Sequence, residues 1–220
     1  MDQENASRFR PFHDLAARLL PYFEGNGDGA HDIDHLVRVW HNARQIQAHE
    51  GGDPELLAAA ILLHDCVSVP KNAPDRHLAS RLPAEQAATA LARLDWAPAR
   101  VETVADAIAS HSYSAGIEPN SVKGRILQDA DRLDAIGFVG IARCFYTAGR
   151  MGSLLYHPSD PKAGDREFND GKFALDHFPQ KLLRLAEGFK TDTGQNLARE
   201  RHQACLAVLS RYAGRGVLSG

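Results

Sequence analysis

The eight residues from Leu56 to Leu63, Leu-Leu-Ala-Ala-Ala-Ile-Leu-Leu, contain no polar side chain, and no other segment constrains the fold as strongly. Asp53-Pro54 precedes the run, an N-cap residue followed by proline at the first helical position. A helix that is apolar nearly all round has no face to give to water, so it belongs at the centre of a core with other helices around it. Apolar residues elsewhere recur at helical spacing and strand signals are nearly absent, which predicts an all-α fold.

The spacing predicts a first helix around Phe12–Leu20, stopped near Pro21, and a second that starts at Asp32 or Asp34 and carries Leu36, Val39, Trp40 and Ala43. Further helices are expected over Leu82–Leu94, Pro98–Ser110 and Ser121–Phe145, the last with a break at Gly137. Two more are expected over Phe173–Phe189 and Asp192–Tyr212. The Gly-, Pro-, Asp- and Ser-rich stretch 149–172 reads as a long surface loop or insertion. Its apolar residues Leu154, Leu155, Tyr156 and Phe168 serve as anchors to the core by default, with closure of the loop over a ligand through Tyr156 as the alternative. At 220 residues the chain reads as a single helical bundle over 1–220, with a core part at about 30–137 and a C-terminal helical part at 138–214.

A formal net charge of -3 argues against a broad basic surface for duplex nucleic acid. The three cysteines, Cys66, Cys144 and Cys205, are too scattered for a disulfide framework and point to a reducing compartment. The N-terminal MDQENASRFRPFHDL lacks an apolar signal core, and no run approaches membrane-spanning length. A cytoplasmic location without a membrane partner is expected.

Chemistry enters where the apolar run ends, at His64-Asp65. A carboxylate at the mouth of a buried helix is costly unless it is paired or bound to a cation. Adjacent helical residues point about 100° apart, so the two reach one ion only if it sits near the helix end. Taken alone, such a dipeptide is more often a cap or a hydrogen-bonded aspartate. Upstream, His31-Asp32 lies at a helix start, where capping is the simpler role, whereas His35 shares the core-facing side with Val39 and Ala43. Downstream, Asp129, Asp131 and Asp134 interrupt the apolar stretch Ile126–Ile136. At least one must face inward, and the outer ones are expected to pair at the surface with Arg125 or Arg132.

The weaker signals are cations and one further histidine. Lys71, Arg76, His77 and Arg81 follow the His-Asp pair and suit substrate phosphates, although Ala73-Pro74-Asp75 also reads as a helix start. Arg38, one turn beyond His35, reads equally as a cleft residue or an exposed arginine. His111, after the helix ending near Ser110, reads equally as a site residue and a structural one.

In order along the chain, His31-Asp-x-x-His35-x-x-Arg38-Val39-Trp40, Leu62-Leu63-His64-Asp65, Ala109-Ser-His111-Ser, Gln128-Asp-Ala-Asp-Arg-Leu-Asp-Ala135 and Ala174-Leu-Asp-His-Phe178 resemble the HD-domain metal-dependent phosphohydrolase superfamily, in its stand-alone bacterial YedJ/YpgQ-like branch. The resemblance implies one helical domain with His35, His64, Asp65 and Asp131 as metal ligands, the last matched by Asp131 rather than Asp129 or Asp134. It also implies a nucleotide substrate, since members of this type include nucleotide pyrophosphohydrolases. Such a mixed nitrogen and oxygen set suits one divalent transition metal, manganese first, with nickel, cobalt, iron or zinc as alternatives. Asp65 is then also placed to orient the attacking water, and Lys71, His111, Arg38 and His77 to bind substrate. His77 and His111 stand where binuclear relatives supply extra ligands, so a two-metal centre is the mechanistic alternative. A dinuclear-iron oxygenase and a non-catalytic nucleotide sensor are the other functional readings, and monomer and homodimer both stay open.

Overall fold

The structure, a computed structural model, describes residues 2–23, 32–67, 81–112 and 116–213. The chain clusters into two compact units, Met1–Asp131 and Arg132–Gly220. Among the described residues there are helices, turns and one isolated bridge, Leu154 to Phe173, but no strand, so the fold is all-α.

The first unit is built around the apolar run. Helices α1 (Asp2–Ser7), α2 (His13–Leu19), α3 (Ile33–Glu50), α4 (Pro54–Leu63), α5 (Arg81–Ala92) and α6 (Pro98–Ala109) precede α7 (Val122–Asp134), which carries the chain across the division. Every residue of α4 from Leu56 to Leu63 is buried, and α2, α3, α5 and α6 all pack on it. Asp53 caps α4 as expected, accepting from the amides of Glu55 and Leu56 at 2.9 and 3.2 Å. Asp32 does the same for α3, accepting from the His35 amide at 3.1 Å, so the aspartate of the upstream His-Asp pair serves as a cap, and His31 lies outside the described residues. Pro21 lies in a short 3₁₀ turn, Leu20–Tyr22, that ends α2. The six-residue α1 carries no periodic signal of its own and was not expected.

In the second unit, α8 (Gly137–Met151) and α9 (Asp192–Ala213) pack together. The expected break at Gly137 is present: its φ of 70° is left-handed, and a Cβ there would stand 3.0 Å from Cβ of Arg201. The helix expected over Phe173–Phe189 is present in shorter and irregular form, as a 3₁₀ turn at Ala174–Asp176, a π-helical stretch at Phe178–Leu182 and a second 3₁₀ turn at Arg184–Ala186, with His177 and Leu183 between them in helical backbone. Pro179 supplies no amide and disfavours helical backbone at Phe178. Buried Arg132 then captures the carbonyls of Leu185, Glu187 and Gly188, which a continuing helix would have used, and lays its guanidinium 4.5 Å from the Phe189 ring centroid.

The loop after α8 is held by charge more than by its apolar residues. Buried Asp176 takes both arms of Arg166, at 2.5 and 2.8 Å, and the Asn169 amide at 2.7 Å. Tyr156 packs near Tyr212, with ring centroids 6.2 Å apart, but Leu154, Leu155 and Phe168 stay exposed, so three of the four expected anchors are not buried. No helix of the described residues is long and apolar enough to cross a membrane.

Candidate metal centre

Three helices of the first unit bring His35, His64, Asp65 and Asp131 together. His35 enters from the first turns of α3, His64 is the residue at which α4 ends, Asp65 follows it, and Asp131 lies on α7. His35 Nε2 stands 3.5 Å from Asp65 Oδ2 and 3.4 Å from Asp131 Oδ1, and His64 Nε2 stands 3.7 Å from Asp65 Oδ2. One ligand atom each from His35, His64 and Asp131 lies within 4.8 Å of the others. Ligands bound to one ion at about 2.0–2.2 Å stand roughly 3–4 Å apart, so these spacings suit a shared divalent cation.

Hydrogen bonding fixes what His64 offers. Its Nδ1 lies 2.8 Å from the carbonyl oxygen of Ile61. A carbonyl only accepts, so Nδ1 carries the proton and the neutral ring presents a lone pair at Nε2. That Nε2 is buried and has no hydrogen-bond partner. A buried polar atom without a partner is costly, and a cation among these carboxylates satisfies it. The residues therefore fit a divalent metal.

Electrostatics holds the cluster in the ionisation state that ligation requires. Burial holds the His64 imidazole below the usual histidine range, helped by His111 and His35 and opposed by Asp65 and Asp131. Burial pushes the Asp65 carboxyl up, but His64, the bond and charge of His35, and His111 outweigh it, so the net displacement is downward. A neutral imidazole beside an ionised carboxylate is what a metal binds without first displacing protons.

Three of the weaker candidates, Arg38, Arg81 and His111, fall among the described residues, and Arg81 is exposed at the start of α5. His111 follows α6 as His64 follows α4, with Nδ1 2.5 Å from the Ile108 carbonyl oxygen and its ring centroid 5.1 Å from that of His64. A proton on Nδ1 facing that carbonyl leaves the lone pair of the ring at Nε2. Arg38 is half-buried on α3. Lys71 and His77 lie outside the described residues.

Of the three aspartates on α7, Asp131 is the one that groups with His35 and His64 among the described residues. Asp129 and Asp134 are the more deeply buried, and Asp134 pairs with Arg143 at 2.7 Å rather than with Arg125 or Arg132 at the surface. Two supporting residues were not visible beforehand. Buried Asn42 donates to the Ala130 carbonyl, and buried Gln128 donates at 2.9 Å to the carbonyl of Ser110, next to His111. The signal for Asn42 was its place two turns beyond His35 on the core-facing side of α3.

A helical core with His-Asp at the end of its buried helix defines a class: residues 32–136 match the HD domain, and the chain belongs to the HD-domain family. It is similar to YpgQ of Bacillus subtilis (strain 168), 36% identical over 180 residues that cover 80% of each chain. The crystal structure of B. subtilis YpgQ in complex with ADP superposes with a TM-score of 0.63 at 32% identity, covering 83% of this chain and 88% of that one. An HD-superfamily hydrolase from Bacillus thuringiensis superposes with a TM-score of 0.68 at 27% identity and covers 97% of both chains.

Proposed function

We propose that this protein hydrolyses a phosphoester or phosphoanhydride bond of a nucleotide, using one divalent transition metal held by His35, His64, Asp65 and Asp131. The observation that carries the reading is the buried, unpartnered Nε2 of His64 facing a cluster that contains two carboxylates. The nucleotide comes from the relative whose structure holds ADP, and hydrolysis from the relative described as an HD-superfamily hydrolase. Manganese is the metal of choice, because two imidazoles with two carboxylates suit a borderline cation better than an all-oxygen binder such as magnesium.

Held by His35, His64, Asp65 and Asp131, a dication would supply Lewis-acid chemistry, polarising a phosphoryl oxygen and making water a stronger acid near neutral pH. The chain's own residues do the rest. The Ile61 carbonyl holds the His64 ring in one tautomer and orientation. Asp65, kept ionised, accepts a hydrogen bond from the attacking water and orients it. Lys71, His77 and Arg38 supply positive charge for the substrate phosphates, and His111 joins them in its protonated form. The test is hydrolysis of nucleoside mono-, di- and triphosphates with Mn²⁺, Co²⁺, Ni²⁺ or Mg²⁺, alongside Asp65→Ala. Metal-dependent turnover that disappears in the variant supports the site; undiminished turnover in Asp65→Ala refutes it.

A further inference from the structure

Helix α7 presents Gly124, Gln128 and Asp131 on one face, at steps of four and three residues. Asp131 groups with His35 and His64, and the other two meet the end of α6. Gly124 lies against Ser110: a Cβ there would stand 3.0 Å from the Ser110 hydroxyl oxygen and 3.1 Å from Cβ of Pro119. Any larger residue at this position would need Ser110 to give way. One turn further on, buried Gln128 donates from Nε2 to the Ser110 carbonyl oxygen at 2.9 Å. That carbonyl and the His111 amide belong to one planar peptide unit, so the bond sets the plane from which His111 leaves the helix end.

His111 is then held by backbone and ring together. Gln128 fixes its peptide, its Nδ1 lies 2.5 Å from the Ile108 carbonyl oxygen, and its ring stands edge-on to that of His64, with centroids 5.1 Å apart and planes at 77°. The other end of the Gln128 amide gains nothing, because Oε1 is buried and has no hydrogen-bond partner among the described residues. A buried acceptor left unsatisfied is costly, and a side chain chosen for packing alone would carry no amide here. The one bond that it donates accounts for the amide. We propose that Gln128 is a positioning residue: through the Ser110–His111 peptide it holds the His111 ring beside His64, where that ring meets a substrate phosphate. The assignment rests on the phosphohydrolase reading of the metal centre. Because Asp131 stands on the same face, one helix sets a metal ligand and His111 in register.

The experiment compares the wild type with Gln128→Met, which keeps the length of the side chain and removes its donor. It reads Mn²⁺ affinity by calorimetry, and KM and kcat for a nucleoside triphosphate that the wild type hydrolyses. In metal-free protein it reads the nuclear Overhauser cross-peak between the His64 and His111 rings. The proposed ligands are untouched, so Mn²⁺ affinity stays at the wild-type value. Loss of the bond to the His111 peptide raises KM about tenfold with kcat little changed, and the ring cross-peak is lost. Gly124→Ala displaces Ser110 without touching Gln128, and alanine is the better helix former. It raises KM in the same direction, and carries the test if Gln128→Met does not fold. A residue that only packs would lower the melting temperature and leave KM and the cross-peak unchanged. That result in the folded variants overturns the proposal, and so does an Mn²⁺ affinity that falls in step with the rise in KM. A wild type without metal-dependent turnover overturns the phosphohydrolase reading instead. The cross-peak, read without metal, then still supports or overturns the placement of His111 by Gln128.

Discussion

The side-chain amide of Asn42 donates to the carbonyl oxygen of Ala130 across 3.0 Å, joining residues 88 positions apart in sequence. Asn42 lies two turns beyond His35 on α3, and Ala130 immediately precedes Asp131 on α7. One buried bond therefore ties together the two helices that carry two of the proposed ligands. Asn42→Ala leaves a carbonyl without this donor, a loss of about 1–3 kcal/mol, and frees the helices to shift. Supporting groups of this kind typically govern metal affinity about 10- to 100-fold, and Mn²⁺ binding to Asn42→Ala should weaken within that range. Calorimetric titration checks it. A lowered melting temperature with unchanged Mn²⁺ affinity would reduce Asn42 to a packing residue.

The carboxylates of α7 separate by role. Asp131→Asn removes a charge from the cluster around His35, and both Mn²⁺ binding and turnover should fall steeply. Asp129 is fully buried and is not grouped with His35 and His64 as Asp131 is, so Asp129→Asn should lower stability while leaving turnover much closer to wild type. Assaying both as soluble, folded proteins decides the matter, and equal losses of activity would show that the last ligand is misassigned or shared.

The elements that were legible in sequence are those decided by local chemistry. Asp53-Pro54 fixes the start of α4, its apolar composition fixes its central place, and Gly137 divides α7 from α8 because the backbone there is left-handed. The His-Asp pair stood out because a carboxylate beside a buried run needs a partner, but its reading as a ligand pair came from the resemblance to the HD-domain family. What remained hidden depends on residues distant in sequence. The irregularity of the Phe173–Phe189 helix follows from Arg132 reaching its carbonyls across more than fifty residues, a contact invisible to periodicity. The burial of Asp134 depends likewise on Arg143 of the next helix, and so defeated the expectation of a surface ion pair.

His64 should remain neutral at pH values where an ordinary histidine is charged. Its folded pKa lies below the 6.5 of the unfolded chain, so between the two values the unfolded state binds a proton that the folded state refuses. The corresponding stability is present above pH 6.5 and is lost as pH falls through the lower, folded value. Long-range nitrogen–proton NMR on metal-free protein should show Nδ1 protonated and Nε2 bare, persisting below pH 6.5. A ring titrating at or above that value would contradict the buried, carbonyl-locked imidazole.

The loop between α8 and α9 offers an independent test of what one buried carboxylate contributes. Burial alone would raise the pKa of Asp176, but the two-armed contact from Arg166 and the Asn169 amide outweigh it and hold the carboxyl below its ordinary 3.8. A depressed carboxylate pKa stabilises the folded state fully above the unfolded value, and that stabilisation disappears as pH falls through the folded one. Asp176→Ala should therefore destabilise the loop near neutral pH by about 3 kcal/mol, the usual result of removing one partner of a buried pair. The deficit relative to wild type should shrink on acidification below the ordinary carboxylate range, where the wild-type group also becomes protonated. Hydrogen exchange at the amides of Gly164, Asp165 and Asn169 reads this locally, and equal protection in both proteins at neutral pH would mean that the Arg166–Asp176 pair does not hold the loop.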